Sequence, residues 1–367
     1  MATVCEKNKC NGCMACIDKC PQNCISIVDN IYSYNAIKNP DRCVNCGLCE
    51  KVCPNNILVE KHKSVEWKQG WAELEIRAKS SSGGVASAIT KSFIEMGGYV
   101  ASCRFKNGKF GFDITNNYEV AKEFAGSKYV KSNPIGIYRK IQERLRTDKV
   151  LFIGLPCQVA GLKNFIKYHE NLYTIDLICH GTPSPRLLEQ FLSEYGYSLS
   201  KLAEISFRNE LHFELKLDGI RKVEKERDCY LISYLNSINY TENCYSCNYA
   251  TRERVSDLTL GDAWGTEYKS EARKGISLIL IQSQKGKKLL ESSNVEQREI
   301  DYDKAVKFNH QLMRPAILKP EREIFLKMIK EGKTIKQATR KTLPIEVLKQ
   351  KVKFLINCFG MLRFMGR

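Results

Sequence analysis

The sequence predicts an α+β or α/β protein in three parts: a small cysteine-rich module, a mixed α/β domain and a basic helical tail. Three observations predict it. Ten of the 17 cysteines fall within residues 5–53. From Pro134 onward, short apolar runs alternate with stretches of helical periodicity. After Lys319 the chain turns helical and basic, with 13 Lys/Arg against 4 Asp/Glu, a net of +9. At 367 residues and 43% hydrophobic, the chain can fill one large core or two modest ones and is too apolar to be disordered. No run approaches ~18 consecutive apolar residues, so a membrane-spanning helix is not expected. Met1 leads into Ala2–Thr3–Val4–Cys5 without a basic-then-apolar opening, and a secretory leader is not expected either. An odd number of cysteines in such a chain argues for a reducing, cytoplasmic setting. There cysteines serve as metal ligands or catalytic groups more often than as disulfides.

The first element is the front module, residues 1–60. Cys10, Cys13, Cys16 and Cys20, followed by Pro21, read C-x2-C-x2-C-x3-C-P, and Cys43, Cys46, Cys49 and Cys53, followed by Pro54, repeat that spacing 33 residues later. This is the run of bacterial ferredoxins that hold two 4Fe–4S clusters. Three thiolates on a tight turn grip one cubane, while the fourth, behind a short helical step, points to the other. The spacing assigns Cys10, Cys13, Cys16 and Cys53 to cluster 1, and Cys20, Cys43, Cys46 and Cys49 to cluster 2. Gly12 and Gly47 sit inside the loops, where sulfurs need backbone N–H groups close by. Two zinc sites would need only paired C-x2-C motifs and leave the third and fourth cysteines unexplained. Sixty residues build little core, so metal ligation must hold this electron-relay module together. Cys5 and Cys24 lie outside the pattern and read as small thiols rather than ligands.

A polar stretch, Lys61 to Glu75, separates the module from the domain that follows. Ser80–Ser81–Ser82–Gly83–Gly84 leads into a helix from Val85 to Met96, with Val85, Ala88, Ile89, Phe93 and Met96 on one face and Gly97–Gly98 as its stop. Such a turn is either a phosphate cradle at a helix N-terminus or a plain capping turn. Next come a helix from Ile135 to Arg146, a strand from Val150 to Gly154 and a helix from Gln158 to Tyr168. A strand from Leu172 to Ile178 and a helix from Pro185 to Tyr195 complete a β-α-β-α pattern that implies parallel strands. Cys157 and Cys179 fall just past the carboxyl ends of the two strands, the edge where ligands bind in open α/β sheets. Cys244 and Cys247 form a C-x2-C on a loop after an expected strand from Cys229 to Leu235. These four thiols suit a third iron–sulfur cluster, a zinc ion or buried structural positions. Cys103, Cys229 and Cys358 read as core or surface thiols. Asp257 to Asp262 and Ile276 to Ile281 read as two further strands.

The formal charge of +17 is uneven, since residues 1–60 carry 6 basic and 6 acidic groups. That distribution gives no nucleic-acid footprint. The tail segment Val347 to Ile356 has the pattern of a basic amphipathic helix, suited to packing on the main domain or to touching an anionic membrane or an acidic partner.

Several stretches together resemble the beta subunits of coenzyme F420-dependent hydrogenases and dehydrogenases, in order and over about residues 66–320. They are Ser81–Ser82–Gly83–Gly84–Val85, Gly126–Ser127–Lys128–Tyr129–Val130, Gly154 to Lys163, Asp176 to Pro185, Cys244–Tyr245–Ser246–Cys247, Ser256–Asp257, Gly261 to Gly265 and Lys274 to Ser277. The front module resembles members in which an electron donor is fused. The resemblance implies an FAD-containing oxidoreductase, its flavoprotein domain running over 66–150 and 151–318, with the tail at 319–367. It implies that Ser81, Ser82, Gly83, Gly84, Ser127, Lys128 and Tyr129 contact FAD. It also implies that Cys157, Cys179, Cys244 and Cys247 hold a third 4Fe–4S cluster near the flavin. Hydride would pass between the flavin and a deazaflavin or another small molecule, and His180 or Asp262 could supply a proton. After Phe207–Arg208 the family often continues with a basic and aromatic stretch, which this chain replaces with Asn209–Glu210–Leu211–His212–Phe213. Similar ferredoxin-fused proteins beside surface-polysaccharide genes add a sugar derivative as a substrate class. The alternative is a non-catalytic electron-transfer protein that links a partner enzyme to a ferredoxin pool.

Overall fold

The computed structural model describes residues 2–209, 212–220, 223–224 and 228–353. In chain order its strands are β1 (Ile25–Asp29), β2 (Tyr34–Lys38), β3 (Glu66–Ala72), β4 (Tyr99–Lys106), β5 (Lys109–Thr115), β6 (Val150–Gly154), β7 (Leu172–Leu177), β8 (Ile205–Asn209), β9 (His212–Leu217), β10 (Leu258–Asp262), β11 (Ser277–Ile281) and β12 (Val295–Glu299).

The front module is built twice over on one plan. Helices Ala15–Lys19 and Leu48–Lys51 each carry the third cysteine of their motif and end just before the fourth. Each motif needs two left-handed residues to curl its loop. Gly12 and Met14 supply them in the first, Asn45 and Gly47 in the second. Glycine, which takes that conformation without steric cost, fills one of the two places each time. β1 and β2 pair antiparallel beneath the loops, Ile25 opposite Lys38.

The main domain is one eight-stranded mixed sheet in the order β12-β3-β11-β10-β7-β6-β4-β5. β4, β6, β7 and β10 run parallel at its centre, and the outer strands run antiparallel. The parallel strands are covered on both faces, which is why Val150–Gly154 is an unbroken apolar run with every residue buried. β3 and β4 come from residues 66–150 and their neighbours from 151–318, so the two stretches close a single sheet.

One expected element differs in kind. Cys229–Leu235 is an α-helix, not a strand, with Asp228 as its N-cap accepting from Leu231 N at 3.0 Å. Six of its seven residues are buried, and a run that is apolar on every side carries no period to tell helix from strand. The helix expected from Gln158 starts earlier, at Pro156, because the Gln158 side chain reaches back to accept from Leu155 N at 2.9 Å. Cys157 therefore stands in a first helical turn.

The tail packs against the main domain. Phe325, Leu326, Ile329, Ile335, Ala338, Leu343 and Val347 join the helices Pro185–Ser193 and Cys229–Leu235 in one apolar cluster. Residues 354–356 of the amphipathic segment, and Cys358, lie outside the described residues. Among the described residues no helix is long and apolar enough to cross a membrane.

The front module shares its core with the main domain. Asp18 accepts from Gly136 N at 2.7 Å and Tyr138 N at 3.2 Å, capping the helix Ile137–Arg144 from outside. Asn164 donates to Ile57 O, and the Tyr249 hydroxyl to Pro54 O, both at 2.7 Å.

Candidate redox site

Twelve cysteines singled out by the sequence gather into three sets. In the first, Cys10, Cys13, Cys16 and Cys53 are all buried. Burial, then repulsion from Cys53 and Cys16, pushes the Cys13 thiol well up, and burial followed by Cys53 pushes Cys16 up to about 12. Cys5 belongs to the same neighbourhood, with Cys10 and Cys53 as its sulfur contacts. In the second set, Cys20, Cys43, Cys46 and Cys49 line one hollow of about 250 Å³ together with Cys24. Cys24 Sγ stands 3.4 Å from Cys20 Sγ, and Cys24 N points at Cys20 Sγ from 3.5 Å. The fourth cysteine of each motif thus crosses to the other set, as the spacing predicts. Rings of four thiols around a hollow, with backbone N–H groups aimed at sulfur, fit a 4Fe–4S cubane. Among the described residues no three His, Cys, Asp or Glu side chains close tightly enough to hold a single metal ion.

The third set comes from three separate places. Cys157 begins a helix, Cys179 follows β7, and Cys244 and Cys247 bracket the end of the 3₁₀ turn Glu242–Ser246. After burial, the charges that most raise Cys157 are those of Cys247 and Cys179, and for Cys179 those of Cys244 and Cys247. Cys244 Sγ receives Thr182 N at 3.4 Å and the Asn243 amide at 3.7 Å. A buried ion pair positions the C-x2-C loop on the sheet. Arg254 meets Asp176 of β7 at 2.7 Å and donates to the carbonyls of Tyr249 and Thr251. This set adjoins the first, since Cys13 also acts on Cys157. A Cβ on Gly161, one turn beyond Cys157, would stand 3.1 Å from Cys13 Sγ.

Beyond the third set lies a cavity of about 430 Å³ at the carboxyl ends of β6, β7 and β10, with Cys179 in its wall. Its size lies within the range of small-molecule sites. The helix Val85–Glu95 aims its N-terminus here, entered through Gly84 at φ 79° with no side-chain cap on its N–H groups. Ser81, Ser82, Gly84, Ser127, Lys128 and Tyr129 line the cavity. The two expected cofactor segments touch each other, as Ser127 N donates to Ser81 Oγ at 2.7 Å. Gly83 is turned elsewhere: a Cβ there would lie 2.4 Å from Gly70 O and 2.6 Å from Ser277 N, so this glycine lets the loop settle on β3 and β11. Lys128 turns its ammonium onto the carbonyls of Phe124 and Ala125, each at 2.8 Å, and burial lowers it to about 8. Tyr129 stacks on Tyr234 with ring centres 4.6 Å apart.

His180 and Asp262 face the same cavity. Asp262 pairs with Arg208 at 2.7 Å, and the Arg208 guanidinium stands over Trp264. His180 Nδ1 lies 2.5 Å from Gln311 Nε2, which also reaches His310 Nε2 at 2.7 Å. Burial, and then the charge of His310, lowers His180 to about 4. Arg208, Trp264, Gln311 and Cys103 are site residues to which the sequence assigned no role. Arg208 and Trp264 sit in quoted motifs that signalled them, whereas Gln311 gave no signal because its partner His180 is 131 positions away.

Fold and site together define an iron–sulfur dicluster module docked on an α/β domain whose own cysteines continue toward a cavity. Residues 147–307 match the family described as the C terminus of the coenzyme F420 hydrogenase/dehydrogenase beta subunit, and residues 9–57 match the 4Fe-4S dicluster domain. The chain belongs to the family of those beta subunits, with a 4Fe–4S dicluster domain at its front. It is 27% identical to the beta subunit of the F420-dependent formate dehydrogenase of Methanocaldococcus jannaschii, over 59% of this chain and 56% of that one. The chain thus spans little more than half of that relative. It is 21% identical to the F-type subunit of the F(420)H(2) dehydrogenase of Methanosarcina mazei, over 73% of this chain and 81% of that one. The front module is similar to a ferredoxin of Streptomyces griseus, 38% identical over 20% of this chain and 70% of that one.

Proposed function

We propose that this chain is an iron–sulfur flavoprotein oxidoreductase, passing electrons between its two ferredoxin clusters, a third cluster and FAD in the 430 Å³ cavity. One observation carries the reading: Cys179 belongs at once to the third thiol set and to the cavity wall, so a relay through the thiol sets ends at a small-molecule site. FAD, when bound, exchanges two electrons as hydride with a substrate and single electrons with clusters.

The chain's own residues divide the remaining work. The uncapped N-terminus of the helix Val85–Glu95, with Ser81 and Ser82, offers N–H and hydroxyl groups to the phosphates. Tyr129, Trp264 and Phe112 supply flat apolar wall for the ring system. Arg208 and Asp262 form a charged rim for a polar substrate, and His180, held by Gln311, is the neutral proton donor nearest the cavity. The substrate is a deazaflavin of the F420 kind or another unsaturated small molecule, and the names of the relatives support the first.

Anaerobically reconstituted protein tests this. The flavin band in the visible spectrum is expected, together with iron for three clusters. No flavin bound under saturating FAD would sink the enzyme reading and leave an electron-transfer protein serving a partner. Cys157→Ala should lower iron by about one cluster's worth, four atoms; unchanged iron removes Cys157 from the ligands.

A further inference from the structure

Between the first and third thiol sets lies a cation that the relay leaves unexplained. Lys131 follows the cavity-lining Tyr129 and Val130, but its side chain runs the other way, into the seam between module and domain. It is 4% exposed. Its backbone is fixed on the domain side by a 2.8 Å bond from Lys131 N to Pro183 O, four residues past Cys179. Its methylenes lie on the cluster loop: a Cβ on Gly12 would stand 2.9 Å from Lys131 Cδ. Its Nζ donates to Asn11 O at 3.1 Å, between Cys10 and Cys13, and stands 5.1 Å from the centre of the Tyr34 ring. On the other side its charge acts on both Cys157 and Cys179.

Among the described residues no carboxylate forms an ion pair with this ammonium; a carbonyl and an aromatic face are its company. An ammonium taken out of water without a counter-charge is strongly disfavoured. The nearest groups able to supply negative charge are the thiolates on either side. A cubane on four thiolates is anionic in both working states and gains one more negative charge on reduction, which a fixed cation beside it favours.

We propose that Lys131 is the shared counter-cation of the first ferredoxin cluster and the third thiol set. It lowers the cost of placing an electron on either, so that transfer across the seam needs no proton or other ion to move with it. The part concerning the third set rests on the function proposed above, whereas the part concerning the first cluster stands on the dicluster domain alone.

The experiment compares the full chain with Lys131→Gln and Lys131→Arg, each purified anaerobically and assayed for iron and sulfide, then titrated with EPR detection. Lys131→Gln is expected to keep its iron while one ferredoxin cluster becomes at least about tenfold harder to reduce, a midpoint lower by about 59 mV for a one-electron couple. Lys131→Arg should keep both its iron and the parent midpoint. Parent midpoints in Lys131→Gln overturn the proposal. Should Lys131→Gln shed iron, Lys131→Arg decides. A counter-charge role requires the arginine chain to keep its iron and midpoints, and iron loss from it, through crowding of Gly12, would show a packing role and overturn the proposal. If the unmodified chain holds only two clusters, the third-cluster reading fails, and the first-cluster shift still tests Lys131.

Discussion

At the scale of single residues, the most telling positions are those whose chemistry and burial disagree. Asp228 caps the helix Cys229–Leu235 from a buried place, and burial pushes its carboxyl from 3.8 to about 7. Between those two values the unfolded chain has released a proton that the folded chain still holds, so this group's contribution makes stability fall as pH rises. Asp228→Asn keeps a good N-cap and removes the charge. It should melt higher than the parent above pH ~7 and much like it below pH ~4, in melting curves taken across that range. Lys128 shows how far sequence could reach. Its place in the cavity wall was legible from the Gly126–Tyr129 motif, but the direction of its ammonium was not. Three backbone carbonyls gathered by the turn Lys122–Phe124 and the residue after it claim it. Side-chain direction at a turn is settled by whichever acceptors the turn presents, and no spacing encodes that.

At the scale of elements, the strands and helices of the parallel centre were legible because their apolar runs end in glycine, proline or a polar step. The failure at Cys229–Leu235 has the same root, since its tyrosines, leucine and isoleucine are apolar on every side. The element that joins the two halves is the helix Pro156–Ile166, which starts with Cys157 and presses Gly161 against Cys13. Gly161→Leu should force the module off this helix. The expected readout is new protease cleavage between residues 54 and 66 with the main sheet intact by circular dichroism. The Arg254–Asp176 pair is the other joint, tying the C-x2-C loop to β7 with both side chains almost wholly buried. Arg254→Met strands a buried carboxylate and should cost about 3–5 kcal/mol in denaturant unfolding. It should also release the iron assigned to the third set while the two ferredoxin clusters keep theirs.

For the whole molecule, the order of the thiol sets matters more than any one of them. Cys46 of the second set is exposed, the first set is buried behind it, and the third lies between the first and the cavity. That gradient from solvent to interior suits an entry point at Cys46 and an enclosed end at the cavity. The front module was legible almost completely, because metal ligation dictates cysteine spacing more strictly than packing dictates anything else. The convergence of Cys157, Cys179, Cys244 and Cys247 was legible only as four thiols that could meet. Their meeting depends on β10 lying beside β7, a pairing across some 80 residues of chain. Removing iron anaerobically with a chelator should unfold residues 1–60 first, read as loss of hydrogen-exchange protection there before β6 and β7 lose theirs.

Asp18 gives this coupling a biological edge. It sits between Cys16 and Cys20 in the cluster module, yet the N–H groups it satisfies belong to the main domain, at Gly136 and Tyr138. A chain that has not received its iron therefore lacks not only its relay but also the cap of a helix in the domain next door. Incomplete maturation becomes visible at a distance, as a frayed segment around residue 137 that a cellular protease can find. Metal delivery and quality control are in this way read from the same contact.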